Sequence, residues 1–226
     1  MLFLFDIDGT LLRSMPPVHR AAISDAMRAV YGIDLPPEQL GQTAGMTDTA
    51  IAARVLRNAG ISDEAITEGL PRFFTLTADY YDAYVPDDLS DYTTPHCREA
   101  LDWLVELGAS LALVTGNVER VAWSKLRAAK IDTYFSCGGF GDEAESRNDL
   151  PPLALARAEQ VFGRTFAKDR TFVVGDTPHD VACGAASGLR TVAVATGSYH
   201  SVDDLLAAGA DYAFEDLRGL LTLELR

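Results

Sequence analysis

Leu2-Phe3-Leu4-Phe5-Asp6-Ile7-Asp8-Gly9-Thr10-Leu11-Leu12 decides the fold. Four apolar residues in succession read as a strand covered on both faces, as in a parallel α/β sheet. The run ends abruptly in carboxylates. Asp6 and Asp8 are two apart, so in extended backbone they share a side while Ile7 takes the other. Two like charges in a partly dry site either hold a cation or raise one proton-binding constant. Gly9 lets the backbone turn away, and Thr10 can cap the next segment.

The same grammar recurs downstream. Residues 110–114 (SLALV) end at Thr115-Gly116-Asn117, residues 171–174 (TFVV) at Gly175-Asp176-Thr177, and residues 191–195 (TVAVA) at Thr196-Gly197; residues 210–214 read as a last strand. Helical patterns lie between them, over 97–107, 119–129, 153–162 and 202–208. This alternation predicts an α/β fold, a doubly wound, Rossmann-like parallel sheet. Ligands of such sheets bind outside the carboxyl ends of the strands, so polar residues far apart in sequence converge there. Asp, Thr and Gly also form turns and helix caps. One such strand end would be a turn; several that carry carboxylates favour a site.

Between the first two strands lies a long insertion without a strand pattern. Residues 18–31 place Ala22, Ile23, Ala26 and Val30 at helical spacing; 49–58 do the same with Ile51, Val55 and Leu56 before Gly60. Residues 64–70 and 72–84 complete the set, interrupted at Pro71. An ordinary crossover needs about 12 residues. The expected organisation is therefore an α/β core of residues 1–13 and 90–226 with an inserted helical cap subdomain of 14–89, joined through linkers at 12–15 and 86–93.

Composition narrows the function. The chain has 226 residues, 48% hydrophobic and 23% charged, which excludes disorder as a whole. Nineteen basic against 33 acidic residues leave a net charge of −14, which disfavours nucleic acid and acidic membrane surfaces as partners. Cys97, Cys137 and Cys183 form no CxxC, so neither a zinc knuckle nor a disulfide framework is expected. With no basic-then-apolar leader and no run near the ~18 apolar residues of a membrane span, a cytoplasmic location is expected. P-loop, dinucleotide-fingerprint, HExxH and GxSxG patterns are all missing.

Asp6-Ile7-Asp8-Gly9-Thr10-Leu11-Leu12 resembles the first motif of the haloacid dehalogenase superfamily. Val114-Thr115-Gly116-Asn117 is similar to its second motif, and Val174-Gly175-Asp176-Thr177-Pro178-His179-Asp180 to its fourth. Their order and spacing agree along essentially the whole chain. The helical insertion falls where many members carry a cap. The resemblance lies with the branch that holds phosphoglycolate phosphatases and β-phosphoglucomutases.

The resemblance implies a division of labour. Asp6 is the expected nucleophile, forming an aspartyl phosphate. Asp8 is the expected general acid and then base. Asp6, the Asp8 backbone carbonyl and Asp176 are the expected ligands of Mg²⁺, with Asp180 an outer carboxylate orienting a water or the basic residue. Thr115, with the neighbouring Gly116 and Asn117, is the expected donor set for the transferring oxygens. The third motif departs from the pattern: relatives often have Lys there, and this chain has none from 131 to 167. Arg147 is the best positional match. Lys125 is the rival, placed lower because its register on the following helix suits a stem packed on the core.

In the cap, the Gly41–Asp48 loop is a substrate-facing candidate through Thr47, although Thr47 or Asp48 as a plain helix cap is the stronger alternative. His19 faces either the substrate or a domain seam. Phe73, Phe74, Tyr80, Tyr81 and Tyr84 are expected in the cap's own core. The presence of Asp8 implies phosphatase or phosphomutase chemistry rather than dehalogenation. A cap without Lys counts against phosphonate cleavage through a Schiff base. The reading is a Mg²⁺-dependent phosphatase of a small phosphorylated metabolite, monomeric or a small homo-oligomer. A sugar phosphomutase and a non-catalytic phosphate sensor are the alternatives.

Overall fold

The computed structural model describes residues 1–13 and 18–223. Six strands form one parallel sheet: β1 (Leu2–Phe5), β2 (Ser110–Val114), β3 (Gly138–Gly139), β4 (Thr171–Gly175), β5 (Arg190–Val194) and β6 (Tyr212–Phe214). The order across the sheet is β3-β2-β1-β4-β5-β6. The chain winds outward from β1 to one edge, then resumes at β4 and winds to the other. The direction of winding therefore changes between β1 and β4, which is where such sheets open a crevice for ligands.

The unbroken apolar runs are explained by burial on both sides. Phe3, Phe5, Leu111, Leu113, Phe172 and Val174 pack on one face, and Leu2, Leu4, Ala112, Val114 and Val173 on the other. Phe3 stacks on Phe172 with ring centroids 4.8 Å apart. Register aligns the strand ends: Phe5 pairs with Leu113 on one side and Val174 on the other. Asp6, Thr115 and Asp176 thus leave the sheet at nearly one level.

Eight α-helices complete the described chain: α1 (Val18–Tyr31), α2 (Asp48–Asn58), α3 (Asp63–Tyr84), α4 (Cys97–Glu106), α5 (Glu119–Ala128), α6 (Leu150–Phe162), α7 (Pro178–Ala186) and α8 (Val202–Ala207). Helices α1–α3 form the insert and share an apolar cluster that includes Ile23, Met27, Ile51, Leu56, Ile66 and Phe73. A second cluster, with Ala22 and Tyr81 from the insert and Val118 and Val121 from the α5 region, joins insert to sheet. The two connections run antiparallel: Leu12 bridges Thr93, and the Arg13 amide donates to the Tyr92 carbonyl at 2.8 Å. Of the expected first linker, Ser14 and Met15 lie outside the described residues.

Three expectations need correction. Pro71 does not interrupt α3, which runs unbroken from Asp63 to Tyr84. Its ring faces solvent, and the apolar face formed by Ile66, Phe73, Ala78 and Tyr81 carries the helix past the missing amide. Helix α6 starts at Leu150 rather than 153, with Pro151 and Pro152 in a first turn that needs no amide donors. Strand β3 was not expected, because two glycines carry no side-chain pattern. Gly139 is required there: a Cβ would lie 2.5 Å from the Leu150 carbonyl oxygen. All three cysteines are buried and unpaired. Among the described residues no helix is long and apolar enough to cross a membrane.

Candidate active site

Asp6 follows β1 directly, and its amide donates to the Val174 carbonyl at 2.9 Å. Thr10, Leu11 and Leu12 then turn their amides back onto the Ile7 carbonyl. Gly9 makes that turn possible with φ +89°. It also has no room for a side chain, since a Cβ would sit 2.2 Å from an Asp176 carboxylate oxygen. Gly197 approaches the same carboxylate from the β5 side. The Thr10 hydroxyl donates to Asp176 Oδ1 at 3.2 Å, and the Thr196 hydroxyl donates to the Gly9 carbonyl at 2.6 Å. Three strand ends are thereby tied around one carboxylate.

Asp6, Asp176 and Asp180 are buried together, with ligand oxygens all within 4.8 Å of one another. Arg147 is the cation among them. Its Nη2 lies 3.1 Å from Asp6 Oδ1 and donates to Asp180 Oδ1. The other Asp180 oxygen accepts from the Thr177 amide and hydroxyl in a capping box at the start of α7. Asp180 is therefore held on both oxygens, and Asp176 accepts from the Thr10 hydroxyl. Burial, against the pull of Arg147 and with the charges of Asp180 and Asp8 adding, pushes Asp6 up to about 6. Burial followed by Asp180 and Asp6 pushes Asp176 up to about 9, with Arg147 opposing.

These residues suit a hard divalent cation. The donors are all oxygen, they carry more negative charge than one guanidinium cancels, and glycines rather than side chains flank Asp176. Mg²⁺ prefers such few-carboxylate sites because it keeps several of its own waters. Asp8 contributes no carboxylate oxygen to this acidic group.

The Asp8 carboxylate turns instead to α5. Lys125 Nζ donates to both its oxygens, at 2.7 and 2.6 Å, and to Asn117 Oδ1 at 2.7 Å. Asn117 Nδ2 donates to Asp8 Oδ2 at 2.8 Å and to the Thr115 hydroxyl oxygen at 2.7 Å. Burial alone would raise Asp8; the charge of Lys125 and the hydrogen bonds from Lys125 and Asn117 outweigh it and leave Asp8 below the ordinary carboxylate value. The two candidates for the third-motif cation thus occupy different places. Arg147 stands beside Asp6 and Asp180, and Lys125 stands beside Asp8.

The insert seats on the second strand end through backbone bonds. The Asp48 amide donates to the Gly116 carbonyl at 2.7 Å, and the Thr49 hydroxyl to the Gly141 carbonyl at 2.6 Å. The Thr47 hydroxyl donates to the Glu145 carbonyl at 2.8 Å and accepts from the Ala50 amide at 3.0 Å. Thr47 is fully buried as the N-cap of α2 and is not on the cavity wall, so the substrate contact expected of it is corrected to a helix cap at the seam. Asp6, Asp8, Thr115, Gly116, Asn117, Arg147, Asp176 and His19 all line a cavity of about 790 Å³ between insert and sheet. Asp180 stands behind that wall. Sequence reasoning did not single out Asp48 as a bridge to the sheet, and it gave Lys125 no contact with Asp8. A Lys at a buried helical register was the available signal, because an ammonium there needs partners.

Gly116 sets how closely the insert seats. A Cβ on it would lie 2.0 Å from the Met46 carbonyl oxygen. Gly116→Ala is expected to cost about 1–3 kcal/mol of stability by overpacking and to increase protease cleavage within the insert. A thermal midpoint and cleavage rate equal to those of the native chain would show that the contact is unimportant.

Comparison with known proteins agrees with this geometry. Residues 1–188 match the haloacid dehalogenase-like hydrolase family. The chain is 27% identical over 223 residues to a phosphoglycolate phosphatase of Pseudomonas savastanoi pv. phaseolicola, covering 97% of this chain and 78% of the relative. It is 30% identical over 222 residues to a phosphoglycolate phosphatase of Chromobacterium violaceum, covering 97% and 94%. In fold it is similar to the crystal structure of a hydrolase from Pseudomonas syringae, with a TM-score of 0.67, 23% identity and coverage of 97% and 95%. The motifs, the sheet order and the family match lead to one conclusion: this chain belongs to the haloacid dehalogenase-like hydrolases.

Proposed function

We propose that this enzyme hydrolyses a small soluble phosphomonoester, with Mg²⁺, through a phosphoryl group carried on Asp6. The observation that supports it most is the placement of Asp6 at the crevice between β1 and β4, with Arg147 on one side and Asp8 on the other. In the first step an Asp6 carboxylate oxygen attacks phosphorus and the bond from phosphorus to the leaving oxygen breaks. Asp8, held as a carboxylate by Lys125 and Asn117, takes a proton from the bound phosphomonoester monoanion and passes it to the departing alkoxide. In the second step water attacks the aspartyl phosphate, Asp8 takes its proton, and inorganic phosphate leaves as Asp6 is regenerated. The Thr115 hydroxyl, which accepts from Asn117 Nδ2 and keeps its own hydrogen, presents a donor to the transferring oxygens. Asp6, Asp176 and the Asp8 carbonyl would hold Mg²⁺, which when bound offsets the repulsion between carboxylate and phosphate. The seated insert covers the cavity and limits the access of water during transfer.

Phosphoglycolate heads the substrate panel, because the curated relatives carry its name. Phosphate release from phosphoglycolate, alkyl, aryl and hexose phosphates, with Mg²⁺ and with chelator, tests the reading. Turnover that needs the cation is expected. A panel without release above buffer, or release indifferent to chelation, overturns it. An isomerised hexose phosphate in place of free phosphate would make the enzyme a mutase, and a stoichiometric burst without turnover would make it a sensor. Asp8→Ala is expected to lower turnover of an alkyl phosphate by about 10²–10⁴-fold. Steady-state kinetics that match the native enzyme would remove Asp8 from proton transfer.

A further inference from the structure

Four side chains form an unbroken polar path from the insert to Asp8. Lys125, 1% exposed, has three ammonium hydrogens and three acceptor groups: the Asp8 carboxylate, Asn117 Oδ1, and His19 Nδ1 at 3.4 Å. His19 accepts at Nδ1, so its proton belongs on Nε2, which lies 3.0 Å from Asp48 Oδ2. That Asp48 oxygen also accepts from the Val118 amide at 2.9 Å, at the start of α5. The Tyr81 ring closes the remaining side, 5.8 Å from Lys125 Nζ and edge-on to His19. Lys125 therefore has no hydrogen left for a substrate anion. Two of the four groups, His19 and Asp48, arrive with the insert, and the other two, Lys125 on α5 and Asp8 in the turn after β1, belong to the α/β core.

We propose that Lys125 is the positioning residue of Asp8, and that His19 and Asp48 complete its hold only while the insert is seated. The proton donor is then in place when the cavity is covered and is released from its post when the insert lifts. This rests on the reading that Asp8 moves a proton to the leaving group. It assigns Lys125 a task different from phosphate neutralisation, which the place of Arg147 beside Asp6 leaves to that residue.

Leaving groups separate the roles. An alkoxide needs a proton as it departs, whereas p-nitrophenolate leaves without one. Lys125→Met keeps the length of the stem and removes every donor. Asp48→Ala removes the far end of the path and leaves Thr47 to cap α2. The first step is followed in single turnovers with excess enzyme and Mg²⁺, on an alkyl phosphate and on p-nitrophenyl phosphate. For Lys125→Met the alkyl rate is expected to fall about 10²-fold, as for a misplaced donor, and the ratio of alkyl to aryl rate at least about tenfold. Asp48→Ala is expected to lower that ratio in the same direction, and it decides the matter alone if Lys125→Met does not fold. Alkyl and aryl rates that fall in parallel, or a ratio that does not move, overturn the inference and leave the phosphatase reading intact. A native enzyme that cleaves neither ester overturns both.

Discussion

Asp6→Asn is expected to lose phosphate release by about four orders of magnitude or more while remaining at least as stable as the native chain. The reason for the loss is chemical. An amide oxygen does not displace an alkoxide from phosphorus to form a stable carrier, so the double displacement has no first step. The reason for retained stability is electrostatic. Asp6 is 5% exposed and shares one guanidinium with Asp180, within reach of the Asp176 carboxylate. Asparagine has the same shape, can still accept from Arg147, and removes one charge from a cluster that carries too many. The bond from the residue-6 amide to the Val174 carbonyl is untouched. Activity against phosphoglycolate and p-nitrophenyl phosphate, read beside a thermal melt, tests both halves. A variant whose turnover stays within about tenfold of native would show that Asp6 is not the nucleophile. A variant that loses activity together with its fold would show that the electrostatic account of the cluster is wrong.

Much of this site was legible in the sequence alone, and the reason is local. A strand buried on both faces must be apolar throughout, so the first polar residue after it marks its end. Asp6, Thr115 and Asp176 are such residues, and parallel pairing of β1 with β2 and β4 brings those ends level. Helix α1 was equally legible, because its apolar stripe is regular and bounded. What escaped depends on contacts between segments distant in sequence. Lys125 shares the α5 stripe with Val121, Ala122 and Leu126, so its register alone reads as packing. Only the approach of α5 to the turn after β1 shows that its ammonium meets Asp8. Asp48 reads as one more acidic residue in a helix's first turn, and its contact with Val118 crosses 70 positions. Strand β3 escaped because it is defined by backbone partners on β2, with glycines that offer no periodicity.

Asp176→Asn is expected to stabilise the metal-free protein above neutral pH and to abolish its thermal response to Mg²⁺. The sign comes from the raised proton affinities. Asp6 is pushed up to about 6 and Asp176 to about 9, both well above the value of an unfolded chain. Between the unfolded and folded values the folded protein binds protons that the unfolded one lacks. The stability these groups contribute is thus complete below about pH 4 and is lost as pH rises, for Asp6 through about 6 and for Asp176 through about 9. Metal-free native protein should therefore melt at progressively lower temperature across that window. A divalent cation competes with the same protons, so the rise in Tm that Mg²⁺ produces should grow over the same window. The substituted amide carries no charge to desolvate, and its oxygen can still accept from the Thr10 hydroxyl that Asp176 accepts from. Removing the charge should return about 1–3 kcal/mol near pH 8, a Tm several degrees higher, with a shallower decline toward alkaline pH. Melts of both proteins across pH, with Mg²⁺ and with chelator, check each part. A Mg²⁺ shift in the variant equal to the native one would place the cation elsewhere. A metal-free variant that melts below native at pH 8 would mean that Asp176 is held by partners stronger than the repulsion argued here.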